Sequence, residues 1–267
     1  MSALPSSGQI LFTAINTTLG RATRNQLALS DSQVWSLTGV STGQIKFTNF
    51  YGKSPSVSNG SIADYDFRNT SSYSGSGTNV TDLRGNYNLT FNSAPTYNTN
   101  PLSITLTTTV SANSAFVNIN LANGYTVELL FKYTSNVGNF FKIFSYASGN
   151  DNNGIQVQVN SSNQVYLWNT NTATALTASA TLSTNTWYHV IITSNSTIYV
   201  NGTSVTKTGS STTLTNSNRV LAVGDQARTR SIVGNVAFAR FYNKVLTATD
   251  VSSLYTDAKA SGSYGLP

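Results

Sequence analysis

Apolar and polar positions alternate most regularly in residues 187–202, Trp-Tyr-His-Val-Ile-Ile-Thr-Ser-Asn-Ser-Thr-Ile-Tyr-Val-Asn-Gly. Val190 and Ile192 alternate with Ile191 and Thr193, and Ile198 and Val200 share one side of a second short run. Ser194, Asn195 and Ser196 separate the two, and Asn201-Gly202 supplies the dipeptide that tight hairpin turns favour. The pattern predicts two short antiparallel strands. From Ile62 onward the chain repeats this grammar, with short alternating runs between Gly, Asn and Ser turns. Strands are expected at 62–67, 87–91, 102–109, 114–120, 125–133, 139–146, 154–160, 163–168, 187–193, 197–200, 219–224 and 232–242. Val251, Leu254 and Tyr255 form an i, i+3, i+4 stripe, so Asp250–Lys259 predicts a helix capped by Thr247 or Thr249.

Residues 1–53 follow a different pattern. Ser7-Gly8-Gln9-Ile10-Leu11-Phe12-Thr13 recurs as Thr42-Gly43-Gln44-Ile45-Lys46-Phe47-Thr48. Between the copies, Ile15 and Leu19 fit a short helix ending at Gly20. Ser30 or Asp31 can cap a second one burying Val34, Trp35 and Leu37. The expectation is a small mixed α/β module, strand–helix–helix–strand, over 1–53. Residues 54–61, Ser-Pro-Ser-Val-Ser-Asn-Gly-Ser, have the composition of a linker. Residues 62–267 then form one β-sandwich.

Composition agrees with an all-β chain. Charged residues make up only 9% of the 267, and Asn, Ser and Thr fill most polar positions. The formal net charge of +6 does not single out nucleic acid, because Lys and Arg are scattered. The nearest thing to a cluster is Arg219, Arg228 and Arg230, with Arg240 following, from which at most a mild attraction to anionic glycans or membranes follows. The absence of Cys excludes a disulfide scaffold and a thiolate metal site and fits assembly in a reducing cytoplasm. No secretory signal is visible at the N-terminus, and no apolar run approaches the roughly 20 residues of a membrane span.

The Trp187-Tyr188-His189-Val190…Tyr199-Val200-Asn201-Gly202 hairpin resembles that of laminin-G-like, concanavalin A-like jelly-roll domains. Tyr125–Lys132 looks like that family's central strand, and Gly234–Leu246 like its closing strand and turn. The resemblance implies an antiparallel β-sandwich, a fold that more often binds or presents surfaces than does chemistry. The N-terminal segment resembles a piece found on tailed-phage and large-virus structural proteins. Leu4, Pro5, Ser7, Gly8, Ile10, Leu19, Gly20, Tyr51, Gly52, Lys53 and Ser54 carry the match. The loop Tyr73–Gly77 leading to Thr81–Asn86 matches one common in the viral members.

Candidate chemistry is sparse. Glycoside hydrolysis needs two carboxyls across one bond. Glu128 is the only Glu in the chain, and Asp64 and Asp66 could share a strand face but lack a third acid, so no catalytic residue is expected. His189, the only His, sits in the hairpin motif, where a core or cross-strand role is expected, as it is for Trp187. No metal is required. Calcium would find its oxygens in Asn150-Asp151-Asn152-Asn153-Gly154, with Asp151 and Asn153 as ligands; a plain polar turn is the simpler account. For sugar, Tyr166 and Trp168 alternate on one strand beside Asn169 and Asn171, with Asn152 in reach. Trp168 reads equally as platform or as core.

Together these readings imply a non-enzymatic virion structural protein, a capsid decoration, minor capsid or tail component assembled in the host cytoplasm. Its partners would be other virion proteins and host-surface glycans, without nucleic acid or membrane insertion, and it would assemble as a homo-oligomer. The alternative is a cellular carbohydrate-binding or glycoside-hydrolase-like domain.

Overall fold

The computed structural model describes residues 60–135, 140–148, 152–170, 172–210, 214–260 and 263–267, together with Ile15. The chain divides into two units, Met1–Gly60 and Ser61–Pro267. The module expected over 1–53, apart from Ile15, and residues 54–59 of the expected linker lie outside the described residues.

The second unit is nearly all β. Its strands are β1 (Ala63–Asp66), β2 (Asn79–Val80), β3 (Leu89–Phe91), β4 (Thr96–Thr99), β5 (Leu102–Leu106) and β6 (Ala112–Asn118). There follow β7 (Thr126–Ser135), β8 (Phe141–Ser148), β9 (Asn152–Val159), β10 (Gln164–Asn169), β11 (Thr174–Thr181) and β12 (Trp187–Thr193). The series closes with β13 (Thr197–Val200), β14 (Thr203–Ser204), β15 (Lys207–Gly209), β16 (Asn218–Val223), β17 (Val233–Tyr242) and the helix α1 (Ala248–Ala260).

Two antiparallel sheets result. The first runs β14-β13-β12-β7-β17-β5-β4, with β1 added to β17; the second runs β15-β11-β10-β9-β8-β16-β6-β3-β2. The core lies between them, where Phe144 and Tyr146 of the second sheet meet Phe241 of the first at ring separations of 5.7 and 5.4 Å. The expected sandwich is therefore present, and each expected strand from Ile62 onward has a counterpart within a few residues. Strands β2, β4, β11, β14 and β15 were not foreseen. In β11, Thr-Ala-Leu-Thr-Ala-Ser-Ala-Thr, only Leu176 is a large apolar residue, so its period-2 signal is faint.

The hairpin of 187–202 forms as expected, with Val190 opposite Val200 and Ile192 opposite Ile198. Asn201 and Gly202 both take positive φ, 50° and 77°, as a tight turn between twisted strands requires. Yet almost all of β12 is buried, on both faces. The outer face of the first sheet is covered by α1 and the C-terminal residues, which pack Ala258, Tyr264 and Leu266 on Leu130, Trp187 and Phe238. Reciprocal bonds cap α1: Asp250 N donates to Thr247 Oγ1 at 3.2 Å, and Thr247 N donates to Asp250 Oδ2 at 2.9 Å.

Candidate functional site

The outer face of the second sheet is built differently. Cross-strand partners share a face, and the register sets Lys142, Gln158, Tyr166 and Thr177 in one row across β8, β9, β10 and β11. Ser145, Gln156, Trp168 and Ala175 form the next row. The alternate positions Phe144, Val157 and Leu167 face the core. The sequence Ile-Gln-Val-Gln-Val of β9 therefore places two amides outward in a strand whose inward residues are apolar.

Three aromatic rings line up on this face. Tyr166 and Trp168 lie nearly parallel, 12° apart in plane with centroids 6.1 Å apart. Phe140 continues the row at 5.0 Å from Tyr166. All three are half-buried. Trp168 is thus only partly buried, on the outer face rather than between the sheets. Burial pushes the Tyr166 hydroxyl above its ordinary pKa, so it stays protonated.

Beside the rings lies a buried polar floor. Gln156 and Gln158 are almost fully buried, and Gln158 Nε2 donates to Gln156 Oε1. Among the described residues, Gln158 Oε1 and the Ser145 hydroxyl have no hydrogen-bond partner although buried. Such orphans are costly in a protein interior.

The opposite wall is the loop 224–231. Lys142 Nζ meets Asp225 Oδ1 at 2.7 Å, and Asn113 Nδ2 donates to the carbonyl of Gln226 at 2.9 Å. Lys142 projects from the outer face, so the loop lies across that face. Asp225 organises it, accepting from the backbone N–H of Ala227, Thr229 and Arg230 and from the Thr229 hydroxyl. Burial by itself pushes the Asp225 carboxyl up, but Lys142 and the Thr229 and Arg230 N–H groups outweigh it and hold it below the usual range.

Other residues singled out in the sequence fall elsewhere. Asn169 alternates away from the rings and is buried on the inner side, and Asn171 and Asp151 lie outside the described residues. Asn152 opens β9, opposite Ser148. Asn153 presents its backbone carbonyl to Arg219 Nε at 2.7 Å and its Oδ1 to Arg219 Nη2 at 2.8 Å. Among the described residues no group of three His, Cys, Asp or Glu side chains is placed to hold a metal. The residues missed by sequence reasoning were Phe140, Lys142, Ser145, Gln156 and Gln158. Only the Gln-x-Gln alternation gave a signal.

The acids considered for hydrolysis sit under α1 on the first sheet. Arg240 of β17 lies in register between Glu128 of β7 and Asp64 of β1. It donates to Asp64 Oδ1 at 2.9 Å, Glu128 Oε1 at 3.2 Å and Asp66 Oδ2 at 3.3 Å. Arg84 takes the other oxygen of Asp64 and Arg68 grips Asp66. Glu128 also accepts from the Tyr242 hydroxyl at 2.6 Å and lies 3.0 Å from His189 Nε2. Burial alone would raise the Glu128 carboxyl, but Arg240, His189 and Tyr242 together hold it down to about 2. His189 is buried, stacked on Tyr255, and structural as expected. Asp64 and Asp66 do share a face, held by arginines and by backbone contacts such as Arg68 N to Asp66 Oδ1 at 3.0 Å and Leu83 N to the Asp64 carbonyl. A cleft of about 720 Å³ opens nearby, lined by Arg68, Asn69, Leu102, Asp257 and Tyr264.

Residues 103–252, more than half of the chain, match a laminin-G family described as the concanavalin A-like lectin/glucanases superfamily. The chain belongs to this superfamily. Solved structures of concanavalin A-like shape agree at the level of fold. A Trypanosoma rangeli sialidase superposes with a TM-score of 0.60 at 13% identity, over 86% of this chain and 37% of that one. The binding domain of Paraclostridial Mosquitocidal Protein 1 gives 0.54 at 14% identity, over 76% and 53%. The Botulinum Neurotoxin serotype G binding domain gives 0.53 at 17%, over 75% and 51%. The chain thus spans a little over a third of the sialidase and about half of each toxin binding domain. A comparison with curated protein sequences finds no match. The sandwich fold is common ground with these structures.

Proposed function

We propose that the sandwich is a non-enzymatic carbohydrate-binding module whose ligand sits on the outer face of the second sheet. The observation that carries this is the partly exposed aromatic row Phe140–Tyr166–Trp168 on that face. Pyranose rings stack their C–H faces on such platforms while their hydroxyls satisfy amides and hydroxyls alongside. Membership of a lectin-containing superfamily supports the reading. The absence of catalysis is supported by the acids: Asp64, Asp66, Asp82, Glu128, Asp225 and Asp250 each hold an arginine, a lysine, a turn or a helix cap. A glycan array probed with wild type and Trp168→Ala tests the proposal. Binding lost in a variant with unchanged Tm is expected; no glycan bound by the wild-type protein would overturn it.

The setting we propose is a virion surface, on the strength of the N-terminal resemblance carried by Leu4 to Ser54. In a symmetric homo-oligomer, several weak glycan sites would act together through avidity. Mass spectrometry and immunogold labelling of purified particles check this, and absence of the protein from particles would refute it.

A further inference from the structure

Among the described arginines, Arg68, Arg84 and Arg240 grip carboxylates, and Arg219 is buried against Asn153 and Thr215. Arg228 and Arg230 differ. Both are exposed, and neither side chain makes an ion pair or hydrogen bond among the described residues. They stand on the loop 224–231 that walls the aromatic face.

The loop holds them there by design of its backbone. Asp225 collects the N–H groups on either side of Arg228, and Arg228 N donates to the Asp225 carbonyl at 2.9 Å. Arg228 takes φ 61°, a conformation that Gly or Asn adopts more readily than a long side chain. Keeping an arginine in that conformation points to use of its side chain. The placement is close to the platform. Lys142 N donates to the Arg230 carbonyl at 2.8 Å, and Lys142 lies two strands, roughly 10 Å, from Tyr166. Phe140, two residues before Lys142, spans part of that gap. The acid and the base of the wall, Asp225 and Lys142, neutralise each other, which leaves the two arginines to set its charge.

We infer that the ligand of this face is an acidic glycan, its carboxylate or sulfate groups taken by Arg228 and Arg230 while a pyranose ring rests on Tyr166 and Trp168. This rests on the carbohydrate reading above. Guanidinium forks match both anions in geometry.

The test is titration of the full chain with heparin, polygalacturonate and neutral mannan, with a single-stranded DNA oligonucleotide as a polyanion lacking a pyranose. Wild type, Arg228→Ala/Arg230→Ala and Trp168→Ala are compared at low and high salt. The expected result is preference for at least one acidic glycan, a roughly tenfold loss on removing the arginines, and loss of all glycan binding on removing Trp168. Equal binding of mannan and acidic glycans, unchanged by the double variant, would overturn the inference and leave the carbohydrate reading standing. Acidic binding indifferent to Trp168→Ala, or DNA binding as tight as the glycans, would overturn it as well, because charge alone would then suffice. No binding to these glycans or to any glycan on the array would remove both readings.

Discussion

Arg240 Nη1 lies 3.2 Å from Glu128 Oε1 across paired strands, with the carboxylate wholly shielded from water. The same guanidinium reaches Asp64 and Asp66, so one cation bridges three acids, two of which also pair with Arg84 and Arg68. Removing one partner of such a buried set leaves uncompensated charge, which costs on the order of 3–5 kcal/mol. Arg240→Ala is expected to lower unfolding free energy by about that much in urea. Adding Glu128→Gln to Arg240→Ala is expected to recover part of the loss, which a double-mutant cycle measures.

The Glu128 carboxyl also sets an acid limit. Its ordinary pKa of 4.5 falls to about 2 in the fold. A depressed carboxyl contributes stability that is complete above the unfolded value and lost as pH falls through the folded one. Asp66 and Asp225 are shifted in the same direction, by Arg68 with Arg240 and by Lys142 respectively, each against the opposing effect of burial. The Tm is expected to hold near neutral pH and to drop between about 4.5 and 2. Glu128→Gln should flatten that drop while lowering the plateau, as thermal melts across pH would show.

Tyr166 and Trp168 are only half-buried, so their loss should spare the fold. Tyr166→Ala and Trp168→Ala are each expected to change stability by under about 1 kcal/mol. Glycan affinity should fall at least tenfold in each, measured by calorimetry alongside melting.

Asp225 couples stability to the wall of the site. Asp225→Asn removes the carboxylate that Lys142 Nζ meets at 2.7 Å and weakens the bonds to Thr229 and Arg230. A loss of roughly 3–5 kcal/mol is expected. Amide hydrogen exchange should rise at Thr229 and Arg230 well before it rises in β8.

The Asn201-Gly202 turn is tied to the helix. Gly202 has φ 77°, and a Cβ there would stand 2.5 Å from Cδ1 of Tyr255. Gly202→Ala combines backbone strain with that clash, and a loss of about 1–3 kcal/mol is expected in chemical denaturation.

Alternation by itself determined the β-sandwich. Runs such as Ile155-Gln156-Val157-Gln158-Val159 and Trp187–Thr193 carry period 2 so clearly that strand, face and hairpin follow, and the Thr247…Asp250 spacing marks the start of α1. Pattern also named Tyr166 and Trp168. It could not say that their face stays open, because openness depends on what the other elements cover. The helix and C-terminal residues cover the first sheet, which turns Glu128, His189 and Trp187 into buried structure; the second sheet keeps its rings accessible. Nor could spacing show that Phe140 meets Tyr166, that Ser145 and Gln156 pair across one face, or that the 224–231 loop reaches Lys142. Strand register and the fold of the 224–231 loop decided that, since cross-strand neighbours are set by pairing between segments that no local sequence signal connects.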